Sequence, residues 1–162
     1  MGEARRVLIL CTGNSARSQM AEGLLRELGG DGFEVHSAGV SPSRVRPEAV
    51  EAMREVGVDI SSHRSKSADE FAGQEFDYII TVCDNARETC PVFPASAERV
   101  HHSFEDPPSP GAADRETTMS AFRRVRDEIG TWLREDFIPQ ASGGGDQAGA
   151  DARPTTISEA GT

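Results

Sequence analysis

Cys11 and Arg17 bracket the five residues Thr12-Gly13-Asn14-Ser15-Ala16, and Ser18 follows directly. A cysteine supplies a nucleophile that works as a thiolate, and an arginine supplies a planar fork of donors matched to paired oxygens. Gly13 and Asn14 tolerate backbone angles that most residues avoid, so the stretch can turn successive N–H groups inward. A ring of such groups at a helix start cradles a tetrahedral oxyanion. The same positive field favours the thiolate of Cys11, and the Ser18 hydroxyl can donate a further hydrogen bond to it. Thr12, Gly13, Asn14, Ser15, Ala16 and Arg17 are therefore expected to bind an anion, with Cys11 as the nucleophile beside it.

Two more thiols follow, in Cys83-Asp84-Asn85-Ala86-Arg87-Glu88-Thr89-Cys90. If Asp84 to Thr89 is helical, Cys83 and Cys90 share a face but stand about 10.5 Å apart along the axis. That exceeds the ~4.4–6.8 Å Cα separation of a disulfide, so joining them requires unwinding. Simple packing is the alternative. A metal site is not expected, because His36, His63, His101 and His102 form no ligand pattern with the cysteines.

These groups need elements to bring them together. Val7-Leu8-Ile9-Leu10 reads as a strand, Gln19 to Leu28 as a helix ending at Gly29-Gly30, and Phe33 to Ser37 as a second strand. Pro47 to Val56 reads as a helix opened by proline and closed by Gly57; Asp77 to Val82 is a third strand, rich in β-branched residues. Arg99 to His102 is a weaker fourth strand, and the prolines of Glu105 to Gly111 make that stretch a loop. Thr117 to Asp136 carries Met119, Phe122, Val125, Ile129, Trp132 and Leu133 as one apolar stripe of a long helix facing the core. The pattern predicts an α/β fold of three layers, a central four-stranded parallel sheet flanked by helices. Ligands of such sheets bind beyond the carboxyl ends of the strands, where Cys11, Cys83 and Asp106 all fall. Residues 1–139 are expected to form one domain and 140–162 a disordered polar tail.

The 162 residues hold 17 Lys and Arg against 27 Asp and Glu, a formal charge of −10. No basic field exists for nucleic acid or an anionic membrane, so positive potential must be local. The apolar run Val7 to Cys11 is too short for a membrane span or a signal core, which with three thiols predicts a cytoplasmic protein. A monomer is expected.

On Leu10-Cys11-Thr12-Gly13-Asn14-Ser15-Ala16-Arg17-Ser18-Gln19-Met20-Ala21-Glu22-Gly23, the sequence resembles the low-molecular-weight tyrosine phosphatases, and within them the thioredoxin-coupled arsenate reductases. The phosphatase form carries a second cysteine where Ala16 stands and a proline where Gln19 stands. The resemblance extends through Ser37-Ala38-Gly39, Asp77 to Pro94, Asp106-Pro107 and Phe122 to Ile129, covering about residues 5 to 138. It implies arsenate as substrate, with phosphate or sulfate competing, and a relay. Cys11 attacks arsenic(V) and displaces water or hydroxide. Cys83 then attacks the Cys11 sulfur and arsenite leaves with two electrons. Cys90 attacks Cys83, and thioredoxin reduces the Cys83–Cys90 disulfide. Asp106 would be the general acid, with Glu105 its neighbouring competitor.

Some members hold potassium beside the loop, through residues that map to Asn14, Glu22, Ser37 and a carboxylate after Ser61-Ser62-His63. An ungapped alignment puts Lys66 at that last position, where its ammonium would replace the ion and pair with Glu22; one gap would put Asp69 there. No tightly bound cofactor, and no potassium, is expected. Two further readings stand beside the reductase: a phosphatase needing Cys11, Arg17 and Asp106 alone, and a non-catalytic oxyanion or redox sensor.

Overall fold

The structure is a computed structural model that describes residues 4–83 and 96–144; Cys90 and the rest of its segment lie outside the described residues. Four parallel strands form one sheet in the order β2-β1-β3-β4: β1 Arg5–Cys11, β2 Phe33–Gly39, β3 Tyr78–Thr81 and β4 Glu98–His101. β1 is central. Val7 to Leu10 are fully buried because both faces of an inner parallel strand are covered. β4 is an edge strand and keeps Glu98 and Arg99 exposed, which is why its sequence signal is weak.

Helices flank the sheet: α1 Arg17–Gly29, α2 Pro47–Arg54 and α3 Arg115–Trp132. α1 starts two residues before the expected Gln19, so Arg17 belongs to its first turn. α2 ends before Val56, and the chain turns at Gly57 with φ 82°. A Cβ on Gly23 would meet Ile60 at 2.8 Å and Met53 at 3.1 Å, so a bare backbone there lets α1 seat against that segment. Met119, Phe122, Val125 and Ile129 of the α3 stripe are buried as its spacing implies.

A second compact unit begins at Thr131. Within it, Leu133–Phe137 widens into a π-helical turn, and α4 runs Ile138–Gly144. The polar tail was expected from residue 140, but the backbone is helical to Gly144. A proline within a helix lacks an N–H and crowds the preceding turn. Here the ladder before it is already displaced, with the Ile138 N–H donating to Leu133 O, so the proline falls where little is lost.

Candidate active site

The register sets β1 between its partners, Leu10 facing Ala38 on one side and Thr81 on the other. Beyond those rungs the chains leave the same sheet edge. Val82 N–H donates to Leu10 O, His102 N–H to Thr81 O and Phe104 N–H to Val82 O. Each bond carries the next exit segment along its neighbour, and so Cys83 and Asp106 are delivered to the loop after β1.

That loop is built by tying its carbonyls outward. Cys11 O accepts from Val40 N–H, Thr12 O from Ser41, Gly13 O from Ser43, Ser15 O from Arg46 and Ala16 O from Met20. Gly13 O also accepts from the Ser65 hydroxyl and Asn14 O from Gln19 Nε2. Across a trans peptide the N–H points opposite to the C=O, so the amides of Thr12 to Arg17 turn to the concave side. Asn14 N–H, 3.2 Å from Cys11 Sγ, is one of them. Among the described residues Asn14 alone is a non-glycine with positive φ, 48°. Gly13, also expected to take an unusual angle, does not; the left-handed position is Asn14's, a residue that adopts it more readily than most. Gly39 matters instead by closeness: a Cβ there would sit 2.6 Å from Thr12 O and 2.8 Å from Asn14 N.

Proton placement around Cys11 follows from groups whose roles are fixed. The Lys66 backbone N–H can only donate, and it lies 2.9 Å from Asn14 Oδ1, which also accepts from Gln19 Nε2. The Asn14 amide nitrogen therefore faces Ser18 Oγ at 2.8 Å and Ser37 Oγ at 3.0 Å and donates to both. With its oxygen so occupied, the Ser18 hydroxyl points its hydrogen at Cys11 Sγ, 2.8 Å away. Ser37 passes its own to buried Glu22 at 2.5 Å, and the other Glu22 oxygen pairs with Arg26 at 2.7 Å.

Cys11 and Cys83 are both buried. Cys83 Sγ lies 3.3 Å from the hydroxyl of Thr12, the residue next to Cys11. Arg17 places Nη1 3.1 Å from Phe104 O and Nη2 3.4 Å from Asp106 Oδ1. Asp106 is 70% exposed, so this contact orients the carboxylate rather than stabilises the fold. Glu105 turns away to Arg124 at 3.0 Å. Of the expected site residues, Cys11 to Ser18, Cys83 and Asp106 thus meet at one edge, and Cys90 lies outside the described residues.

The sequence reading missed the support behind the loop. Gln19 is fully buried; its Nε2 also donates to Arg64 O at 3.0 Å, leaving Oε1 for His63 Nδ1 at 2.9 Å. His63 is therefore a neutral donor at Nδ1, with Arg26 Nη1 3.4 Å from its other nitrogen. Burial holds the His63 ring below its ordinary value against the pull of Glu22, and Arg26 and Lys66 add to the lowering. A folded value below the unfolded one means that its contribution is complete above about pH 6.5 and lost as pH falls from there. Urea unfolding followed on acidification should show wild type losing more stability than His63→Gln; parallel pH profiles would remove His63 from this role.

The model of the low-molecular-weight phosphotyrosine protein phosphatases matches residues 6–137. The chain belongs to this phosphatase family. Among its curated relatives, the arsenate reductase of Halalkalibacterium halodurans is 47% identical over 128 residues, 79% of this chain and 91% of the relative. That of Bacillus subtilis is 42% identical over 133 residues, 82% of this chain and 95% of the relative. Among solved structures, a thioredoxin-dependent arsenate reductase of Corynebacterium glutamicum superposes with TM-score 0.67 at 28% identity, covering 88% of this chain and 65% of that one. An arsenate reductase in its phosphate-binding state gives 0.66 at 32% identity, covering 84% and 98%. The family fold is the four-stranded parallel sheet described above.

Proposed function

We propose that this member of the phosphatase family is an arsenate reductase recycled by thioredoxin. The observation that carries the reading is the second cysteine: Cys83 Sγ stands 3.3 Å from Thr12 Oγ1 on the nucleophile's own loop, where ester hydrolysis has no use for it. The curated relatives named arsenate reductase support the substrate, and the Corynebacterium neighbour supports the reductant.

In this reading the loop amides and Arg17 hold arsenate, and the Cys11 thiolate, steadied by Ser18 and Asn14 N–H, attacks arsenic. Asp106, set beside the anion by Arg17, protonates the departing oxygen. Cys83 then attacks the Cys11 sulfur; the As–S electron pair stays on arsenic, arsenite leaves, and the two sulfurs are joined as the oxidised product. Cys90 displaces Cys11 from Cys83, and the resulting Cys83–Cys90 disulfide passes to thioredoxin. The protein acts as a monomer in the cytoplasm.

NADPH oxidation with thioredoxin and its reductase, started by arsenate, tests this. Wild type should turn over continuously and Cys90→Ser should stop after at most one event. Undiminished turnover in Cys90→Ser would sink the relay. The phosphatase reading keeps one observation on its side, an acid already placed at the loop, and it predicts aryl phosphate hydrolysis indifferent to Cys90.

A potassium site fits these residues poorly. Asn14 Oδ1 is taken by two donors, and both Glu22 oxygens are taken by Ser37 and Arg26. The cation expected to pair with Glu22 was Lys66, but Lys66 Nζ donates to Arg64 O at 3.0 Å, and Arg26 makes the Glu22 pair. Lys66 still stands close enough that Glu22 raises its basicity, although burial, the larger effect, lowers it. The two cations together take the charge role of an ion, so potassium chloride exchanged for sodium chloride at fixed ionic strength should leave activity unchanged. A several-fold stimulation by potassium would overturn this assignment.

A further inference from the structure

Asp106 sits in a stretch that cannot anchor itself, because Pro107 and Pro108 carry no N–H. Its fixed points come from outside. Before Asp106, Phe104 O accepts from Arg17 and Glu105 pairs with Arg124. After it, Pro108 O accepts from Arg46 Nη1 at 3.1 Å. Arg46 is also tied to the anion loop, for its backbone N–H donates to Ser15 O at 2.9 Å. One residue thus bridges the loop that holds the anion and the loop that holds the acid.

We infer that Arg46 is a positioning residue, setting the Asp106 loop against the anion loop and acting on proton transfer through Asp106. The inference rests on the reading of Asp106 as general acid. The surroundings of the side chain fix its direction: the guanidinium lies over the ring of Phe122, 5.0 Å from its centroid, and Nε is 3.3 Å from Glu48. Phe122 is fully buried in α3, so the platform does not yield. A lysine has the charge but neither the fork nor the flat face. Arg46 Nη2 is buried without a hydrogen-bond partner, the one such side-chain atom among the described residues. An unpartnered buried donor costs stability, which argues that this arginine serves placement of the loop rather than strength of the fold.

The test is a double-mutant cycle of Arg46→Lys and Asp106→Asn. It is read on 4-nitrophenyl phosphate hydrolysis across pH and on arsenite formed in a single turnover. Amide hydrogen exchange is measured in parallel. Arg46→Lys should lower kcat about ten-fold with KM nearly constant, and weaken the pH dependence that Asp106 imposes. In the Asp106→Asn background the same substitution should change nothing. Exchange at Ala112, beyond the freed anchor, should quicken about ten-fold while β1 amides stay protected. Additive losses, a raised KM with kcat intact, or unchanged loop exchange would each overturn the inference. A wild type that turns over neither compound would instead remove the acid role of Asp106, and the inference with it.

Discussion

Cys11→Ser is expected to lower arsenite formation at least about a thousand-fold while leaving anion affinity within a few-fold of wild type. The two effects separate because the groups that bind are not the group that reacts. In the proposed reading the cradle is made of backbone amides, and the carbonyls behind them are held by Val40, Ser41, Ser43, Arg46, Met20, Gln19 and Ser65 without any bond to the Cys11 sulfur. A serine hydroxyl fits where the thiol sits but stays protonated at neutral pH, and the Ser18 hydroxyl that would steady an anion has none to steady. Single-turnover arsenite release with calorimetric phosphate binding checks both halves. Substantial arsenite from Cys11→Ser would transfer the first attack to another group, such as Cys83, whose sulfur lies 3.3 Å from Thr12 Oγ1.

Arg17→Lys should fail differently, losing about a hundred- to a thousand-fold in kcat/KM together with most of the anion affinity. Arg17 has three tasks at once. In the proposed reading it faces the anion, while its Nη1 donates to Phe104 O and its Nη2 stands 3.4 Å from Asp106 Oδ1. An ammonium cannot span two points on a second loop and still present a pair of donors to the oxyanion. Comparing phosphate binding with the turnover of wild type and variant distinguishes the cases. A variant that binds normally and only turns over slowly would confine Arg17 to the acid loop.

How much of this could be read from the chain depended on distance along it. The nucleophile loop is written in consecutive residues, strand to cysteine to arginine to helix, so its placement follows from local rules. Cys83 and Asp106 follow once the strands are recognised, because parallel strands send their exits to the same edge. The support behind the loop has no such signature. Gln19 meets Arg64 and His63 across more than forty residues, and nothing near Gln19 marks it as buried rather than helix surface. Arg46 likewise reaches Pro108 through the fold. The Glu22–Arg26 pair is a different lesson: its i, i+4 spacing was visible, but an alignment pointing to Lys66 drew the charge elsewhere. The helix that runs past Asp136 left no trace in the sequence, because the widened turn at Leu133–Phe137 has no pattern in side-chain types.

Every carbonyl of the loop after β1 is engaged by the rest of the fold, and Asn14 is held in its left-handed angle by its own side chain. A receptor held in shape by its own framework gives up little conformational freedom on capture, so it grips whatever has the right charge and tetrahedral outline. Phosphate and arsenate share both. In the proposed relay, discrimination between them then belongs to the step after capture: sulfur must displace oxygen from the central atom, and a second sulfur must take the pair apart. Phosphorus, once bonded to sulfur, does not accept two electrons and leave as a lower oxyanion. Selectivity of this kind is kinetic, and its cellular signature is competition: the rate of detoxification should track the ratio of arsenate to phosphate around the protein, not the concentration of arsenate alone.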